Sequence, residues 1–180
     1  MTRTSPIEAP AAPLSDGIVA LRRRRPADLD AIAAASHDPL TRRWLNDAPM
    51  DETARATSLD RVEQAWLSGQ AAPLTIADAD TDEAIGMVNL QFRDDEVATV
   101  AYSVFPARRG QGVAPRAVHL VAHWALTDLG VTQLLLEADE GNAASIRVAE
   151  KCRFQPSGRR TEQDPDGEPR TTLVFARTAP

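Results

Sequence analysis

The chain has 180 residues, of which 43% are hydrophobic and 26% charged, and this length suits one globular domain with one core. Its formal net charge of −6 opposes nonspecific attraction to nucleic acid or anionic lipid, because both attractions need clustered positive charge. Cys152 is the only cysteine, which excludes an intrachain disulfide and a thiolate-rich metal site. No apolar run is long enough for a membrane span or a signal peptide. We therefore expect a cytoplasmic protein without nucleic-acid or membrane partners.

The first fifteen residues contain Pro6, Pro10 and Pro13 among small side chains. Such a composition buries too little surface to offset the entropy of ordering the chain. We therefore predict a flexible tail over residues 1–15 and a single domain over residues 16–178.

The first half of the domain predicts a strand over residues 18–21 and a helix that starts at Pro26 and ends near Ser36. The basic run Arg22–Arg25 is interpreted as the polar end of this strand. An irregular region, containing Trp44 and residues 45–47, lies between Pro39 and Pro49. A second helix over residues 59–68 stops at Gly69.

The remaining pattern predicts five further strands, over residues 74–77, 85–92, 97–105, 134–138 and 154–158, and a last one over residues 171–175. A long amphipathic helix lies between Gly112 and Gly130, and a shorter one runs from Asn142 to Lys151. The fold class is therefore α/β (α+β), with a mixed, mostly antiparallel sheet of about seven strands flanked by four helices on both faces.

The loop from Arg108 to Ala114 joins a predicted strand to the long helix and contains Gly110 and Gly112. The first turn of a helix has unpaired amide groups and a positive partial charge, and glycine lets a phosphate approach the backbone. Pro115 loses little there, because first-turn amides lack intrahelical acceptors. The loop therefore predicts an anion site, to which the two arginines can add charge-assisted contacts.

Other phosphate loops fit this segment poorly. A P-loop needs Lys and then Ser or Thr where Val113 and Ala114 stand. A dinucleotide fingerprint needs a small residue at position 115, which is Pro115, and a βαβ unit near the start of the domain. A glycine turn without any ligand remains open.

No metal is expected. His119 and His123 stand four residues apart on the long helix, but the sequence offers no third ligand. Cys152 has no catalytic partner set nearby and is interpreted as a small buried hydrophobe.

The segment Arg109–Ala114, with the sequence RGQGVA, resembles the acyl-CoA signature of the GNAT family of N-acetyltransferases. Residues Asn142–Ser145, continuing through Lys151 to Phe154, resemble the family's motif after its fifth strand. The second likeness is greatest to the ribosomal-protein N-terminal acetyltransferase (RimJ/RimL-type) subgroup. The resemblance spans about residues 18–176 and includes the order of the elements.

This resemblance implies a sheet that splays between the fourth and fifth predicted strands, with the pantetheine arm of acetyl-CoA inserted in the gap. The residues implied in cofactor binding are Tyr102, Val104, Arg109, Gly110, Gln111, Gly112, Val113, Ala114, Asn142 and Ser145. The reaction implied is direct attack of a neutral amine on the thioester, without a covalent enzyme intermediate.

The chain departs from the family where many relatives have a tyrosine as general acid, because Ala149 stands there. Ser145 is the first candidate proton donor, with a local helix-start hydrogen bond as its alternative role. Tyr102 is the second candidate, with packing against the cofactor as its alternative. Glu137 is a candidate base if burial raises its pKa, with a structural ion pair as its alternative. Arg153 replaces a usual glycine, and a left-handed backbone there would cost about 1 kcal/mol.

For the acceptor, Trp44 is expected to touch substrate from the irregular region. The acidic loop containing Glu162, Asp164, Asp166 and Glu168 predicts attraction of a cationic amine. The acceptor can be a peptide amino terminus or a small amine, and succinyl-CoA is an alternative donor. A noncatalytic acyl-CoA sensor, and a monomer or a homodimer, also remain open.

Overall fold

The computed structural model describes residue 3 and residues 5–45, 48–164 and 166–179; Asn46 and Asp47 of the predicted irregular region lie outside these ranges. The strands are Leu14–Ser15 (β1), Val19–Arg22 (β2), Ala71–Asp78 (β3), Ala84–Phe92 (β4), Val97–Val104 (β5), Gln133–Asp139 (β6), Gln155–Gln163 (β7) and Pro169–Thr178 (β8). The α-helices are Leu29–Ser36 (α1), Pro39–Leu45 (α2), Glu52–Ala56 (α3), Ser58–Ser68 (α4), Val113–Thr127 (α5) and Ala143–Lys151 (α6). Short 3₁₀ turns occupy Pro26–Asp28 and Pro106–Arg108.

The strands form one sheet in the order β1-β2-β3-β4-β5-β6-β8-β7. Only the pair β5 and β6 is parallel among these neighbours, and every other pair is antiparallel. The predicted mixed, mostly antiparallel sheet is confirmed. The described residues contain eight strands and six helices, against the seven and four predicted.

The two additional helices, α2 and α3, lie in and after the region predicted to be irregular. Pro39 is the first residue of α2, and Asp38 accepts a hydrogen bond from the Thr41 amide at 2.8 Å. Asp51 caps α3 in the same way through the Ala54 amide at 2.7 Å. The prediction of an irregular region directly after Pro39 is wrong, because proline is compatible with the first position of a helix.

Met87 and Val88, neighbours on β4, pack in different core clusters. Met87 packs with Ile32 of α1, whereas Val88 belongs to the larger cluster that contains Val118 of α5. Because successive side chains of a strand point to opposite faces, helices cover both faces of the sheet. The main core lies under α5.

The N-terminal segment is more closely packed than predicted. Ile7 is buried, and its amide donates to the Trp66 carbonyl at 3.0 Å. Leu14 and Ser15 form β1 against β2. The predicted loose tail is therefore wrong for these residues. Ile7 stands among prolines and small residues, where no periodic pattern of apolar residues indicates burial.

Most side chains of the basic run Arg22–Arg25, at the end of β2, form ion pairs with carboxylates of the protein. The Arg22 guanidinium is buried and donates to both carboxylate oxygens of Asp28 at 2.8 and 2.9 Å. Arg23 pairs with Glu63, and Arg25 pairs with Asp82. These contacts support the interpretation of this run as the polar end of a strand.

Candidate active site

Strands β5 and β6 pair along only part of their length. Val97–Val100 are in register with Gln133–Leu136, and after these residues neither strand has the other as a neighbour. Residues 101–104 and 137–139 therefore diverge. The gap is part of a cleft of about 680 Å³, large enough for a sizeable cofactor. The predicted split of the sheet is present at the predicted pair of strands.

The loop that precedes α5 forms one end of this cleft. Gly110 and Gly112 have φ of 73° and 77°, in the left-handed region that favours glycine. Gly112 is the N-cap of α5, and no side chain caps the helix. The amides of residues 110–114 donate to no acceptor within the described part of the chain. A helix start with free donors and open space beside its glycines is suited to an anion.

Most of the predicted site residues line this one cleft. They are Trp44, Tyr102, Val104, Arg109, Gly110, Gly112, Val113, Ala114, Glu137, Asn142 and Ser145. Gln111 is not among the lining residues; its side-chain amide donates to the Ala107 carbonyl at 3.0 Å and braces the loop. Glu162 is also outside the cleft, exposed on β7 and paired with Arg160 at 3.3 Å.

The two arginines of the loop are bound to carboxylates of the protein itself. Arg109 donates to Asp38 at 2.7 Å and to the Val104 carbonyl at 3.2 Å. Arg108 pairs with Asp78 and Glu83. We correct the expectation that these side chains are free for phosphate contacts, because acidic residues far away in sequence neutralise them. Arg109 instead holds the end of β5 to the start of α2, and the bond lowers the pKa of Asp38 to about 2.

Tyr102 and Ser145, the two candidate proton donors, are in contact. The Tyr102 phenol donates to the Ser145 hydroxyl at 3.0 Å. The Ser145 amide donates to Asn142 Oδ1 at 3.1 Å, so Asn142 caps α6 and fixes the position of Ser145. The local hydrogen bond predicted for the Ser145 hydroxyl is not among those of the described residues: the hydroxyl oxygen accepts from Tyr102, and its own proton is free to point elsewhere in the cleft.

The environment of Tyr102 keeps its phenol protonated. Burial raises the pKa of Tyr102 to about 12, against the hydrogen bond to Ser145, which lowers it. A group with this pKa carries its proton throughout the neutral range. It is therefore suited to donate a hydrogen bond and unsuited to act as a base.

Glu137 lies in the cleft as the centre of an ion-pair group. Its carboxylate accepts from Arg160 at 2.7 Å and from Arg93 at 2.6 Å. The hydrogen bond from Arg160, together with the charge of Arg93, holds the pKa of Glu137 below its ordinary value although burial opposes this. The prediction of a raised pKa is wrong, because Arg160 of β7 and Arg93, which directly follows β4, both lie against the carboxylate. The alternative, a structural ion pair, is what the structure contains.

One face of α6 adds residues that the sequence interpretation did not include. Ala144, Arg147, Val148 and Lys151 line the cleft together. Their spacing of three, four and seven residues is that of one helical stripe. Counting this spacing from Ala144, the second residue after the Asn142 cap, finds Arg147 and Lys151 as two positive charges near the cleft.

A second pocket, of about 380 Å³, adjoins the cleft. Leu45, Gln91 and residues 101–103 line both cavities. Strand β5 therefore separates the two spaces, and a group in the smaller pocket can approach a group held in the cleft near Tyr102.

Cys152 lies behind the cleft, where α6 ends. Its thiol is buried and donates to the Pro115 carbonyl in the first turn of α5 at 3.2 Å. Burial raises the pKa of Cys152 to about 11. The interpretation of Cys152 as a small buried side chain is confirmed. Next to it, Arg153 has a φ of 62°, the left-handed conformation anticipated for this position.

Known structures share this architecture at low sequence identity. An acetyltransferase of the GNAT family from Bacillus anthracis superposes with a TM-score of 0.80 at 12% identity, over 93% of this chain and 99% of that one. RimL, a ribosomal L7/L12 α-N-protein acetyltransferase solved with coenzyme A, gives a TM-score of 0.77 at 16% identity, over 92% of this chain and 96% of RimL. The microcin C7 self-immunity acetyltransferase MccE, solved with acetyl-CoA and AMP, gives 0.79 at 12% identity, over 92% and 94%. At these identities the likeness is one of fold.

Sequence comparison gives the family. The relative called uncharacterized N-acetyltransferase p20, from Bacillus licheniformis, is 26% identical over 141 residues, which cover 77% of this chain and 79% of p20. The model of the acetyltransferase (GNAT) domain matches residues 19–155, which include the split strands, the glycine loop and α6. The chain therefore belongs to the GNAT acetyltransferase family.

Proposed function

We propose that this protein transfers an acetyl group from acetyl-CoA to a primary amine. The observation that carries the proposal is that the amides of residues 110–114 have no acceptor in the described part of the chain, in a loop whose residues 110 and 112–114 line the end of the cleft between β5 and β6. RimL and MccE, which share the fold, were solved with coenzyme A and acetyl-CoA. Membership of the family supports the same donor here.

In this proposal the pyrophosphate of acetyl-CoA binds the amides of the loop, where the helix start supplies a positive partial charge. The pantetheine arm extends between β5 and β6, along Tyr102 and Val104. The Val104 carbonyl already accepts from Arg109, but a carbonyl oxygen has a second lone pair. Asn142 Oδ1 caps α6, which leaves its amide nitrogen for the arm. Arg147 and Lys151 supply positive charge near the phosphates.

The reaction is one displacement at the thioester carbonyl. The amine nitrogen forms a bond to the carbonyl carbon, the carbon–sulfur bond breaks, and coenzyme A leaves as a thiolate. The sulfur then takes the hydroxyl proton of Ser145, while Tyr102 donates its own proton toward Ser145. The attacking nitrogen releases one proton to water, and water returns one proton to the Tyr102 oxygen, so the protons balance and both side chains are restored. Glu137 has no part in this step, because Arg93 and Arg160 hold its carboxylate.

The binding step is tested with the pair of substitutions Gly112→Asp and Gly112→Asn. Both residues tolerate a left-handed backbone, and no atom lies within 4 Å of a Cβ at this position, so both variants should fold. Acetyl-CoA at 100 times its Kd should stabilise the unchanged protein by about 2.7 kcal/mol. The aspartate places a negative charge beside the phosphates and should abolish this stabilisation. The asparagine, of the same shape without the charge, should retain more of it.

Thermal melting with and without acetyl-CoA measures this effect. Full stabilisation of Gly112→Asp would show that the loop does not bind the pyrophosphate. The transfer step is measured by release of coenzyme A thiol across a panel of small amines and amino-terminal peptides. Binding without thiol release from any amine would assign the chain to the noncatalytic acyl-CoA-binding class. Faster release from succinyl-CoA than from acetyl-CoA would reassign the donor.

A further inference from the structure

The smaller pocket beside β5 has an uneven distribution of charge. Two arginines, Arg24 and Arg61, line it, and no acidic residue is among its described lining residues. The protein as a whole is acidic, with a formal net charge of −6. A positive pocket on an acidic protein is therefore a local feature that needs its own explanation.

Arg24 differs from its neighbours in the basic run. Arg22, Arg23 and Arg25 each pair with a carboxylate. Arg24 makes no such pair among the described residues; its two terminal nitrogens donate to Ser58 Oγ at 2.9 Å and to Met87 Sδ at 3.4 Å. Burial lowers the pKa of Arg24. The pKa of Arg22, in contrast, is raised by the hydrogen bond between Arg22 and Asp28. The charge of Arg24 is thus only weakly compensated by the protein.

Two polar atoms of this pocket are buried without a hydrogen-bond partner in the described part of the chain. They are Nε of Arg24, a donor, and Oδ1 of Asn89, an acceptor. Buried polar atoms without partners are rare in folded proteins, because each loses its hydrogen bonds to water without a replacement. One positive donor and one neutral acceptor in a single pocket are complementary to a molecule that has both an anionic group and an amine.

The other walls of the pocket are mainly apolar. They include Met50, Val62, Pro73 and Met87. With a volume of about 380 Å³, the pocket is near the lower end of the range for small-molecule sites. A small molecule with an apolar part fits these walls better than an extended peptide.

We propose that this pocket binds the acceptor, and that the acceptor is a small primary amine bearing an anionic oxygen group and an apolar part, as an apolar α-amino acid does. The inference rests on the proposed function and names its substrate class. Arg24, with Ser58 and Arg61, holds the anionic group, and Asn89 Oδ1 accepts from the amine. The amine then lies beside β5, where the pocket meets the cleft. This sign of charge is opposite to the cationic acceptor that the acidic loop around Glu162 predicted.

The unpaired Asn89 Oδ1 indicates that the anionic group belongs to the amine substrate and not to the acyl donor. A succinyl group has a carboxylate that Arg24 can bind, but it has no N–H to donate to Asn89. An amino acid supplies both groups. The carboxylate of an amino acid and the phosphonate of its analogue share the same anionic chemistry, and the assay separates them.

The test compares leucine with leucinamide, which has the same amine and side chain but no anion, and with the aminophosphonic acid analogue of leucine. For the unchanged protein, we expect kcat/KM for leucine to exceed that for leucinamide at least tenfold, since charged hydrogen bonds have this strength. Arg24→Gln should reduce this preference about tenfold or more, because only leucine has an anionic group that loses its partner. Arg24→Lys, which keeps the charge, should retain most of the preference. A kcat/KM for the phosphonate close to that for leucine would show that the pocket recognises the anionic charge that the two molecules share.

Retained turnover of leucinamide also shows that Arg24→Gln is folded. An equal or greater rate with leucinamide, with a polyamine or with an amino-terminal peptide would overturn the inference, as would an unchanged preference in Arg24→Gln. A preference for succinyl-CoA that disappears in Arg24→Gln would place the anion on the acyl group and overturn it as well. If no amine is acetylated, the proposed function fails separately. Thermal stabilisation by leucine over leucinamide, with coenzyme A present, still tests the pocket.

Discussion

The Tyr102 phenol lies 3.0 Å from the Ser145 hydroxyl and joins β5 to the first turn of α6 across the opening of the sheet. The position on α6 where many relatives have a tyrosine is Ala149, which is fully buried and has no proton to give. The phenol that reaches the cleft in this protein therefore comes from the strand. Its partner on the helix is a hydroxyl, which suggests that the two residues act as one unit.

If they do, removing either one should slow proton donation to the sulfur. We expect Ser145→Ala to reduce kcat about 10²-fold, the lower range for general acid catalysis, with little change in KM for acetyl-CoA. Tyr102→Phe should reduce kcat less, because serine remains beside the sulfur. The double variant should be no slower than Ser145→Ala, since residues that act together are not additive. Steady-state release of coenzyme A thiol measures all three, and a fully additive double variant would show independent roles.

The dependence of the rate on pH should show no loss of activity on the alkaline side up to about pH 10. Tyr102 has a pKa of about 12, so its phenol remains a donor until the pH approaches that value. The rate should rise with pH as the acceptor amine loses its proton, and then level off. The measurement is kcat between pH 6 and 10, corrected for uncatalysed thioester hydrolysis. A decline with a midpoint near pH 9 that is absent in Tyr102→Phe would contradict the shifted pKa.

The buried pair of Arg22 and Asp28 should matter more for stability than its number of bonds suggests. Asp28→Ala leaves the buried Arg22 charge without its bidentate partner, and we expect a loss of about 3–5 kcal/mol in the free energy of unfolding. Asp30 is a matched control two residues away, because its ion pair with Arg55 is exposed. Asp30→Ala should cost less than about 1 kcal/mol. Urea denaturation compares the two, and similar losses would refute the assignment.

The left-handed backbone at Arg153 should be a removable strain. Arg153→Gly should raise the free energy of unfolding by up to about 1 kcal/mol, since glycine adopts this conformation without a Cβ clash. The greater entropy of glycine in the unfolded chain offsets part of the gain. Arg153→Ala removes the same charge but keeps the Cβ, so it should give no gain. A gain of equal size in the alanine variant would point to the side chain and not to the backbone.

The features that were predictable are local in sequence. The positions of most strands along the chain follow from apolar and polar residues that alternate in short segments. The glycine loop is one contiguous segment from Arg108 to Ala114. Helix α2 was missed because Pro39 at its first position resembles a break. The resemblance to the family supplied the split of the sheet, which no residue pattern alone indicates.

The features that were not predictable depend on residues distant in sequence. Arg109 is neutralised by Asp38, and the pKa of Glu137 depends on Arg93 and Arg160. Similarly, the single arginine of the basic run without a carboxylate can be recognised only after its neighbours are paired. The sequence shows which side chains are charged, but the fold decides which of those charges are paired with an opposite charge.

The burial of Cys152 has a practical consequence for the thiol-release assays proposed for this protein. Its thiol is the only one in the chain, is enclosed between α5 and α6, and holds its proton up to a pH of about 11. A disulfide reagent that reacts with thiolates in seconds should therefore detect free coenzyme A and leave the folded protein unmodified. The same reagent becomes a probe of folding, because Cys152 reacts only when the ends of the two helices separate.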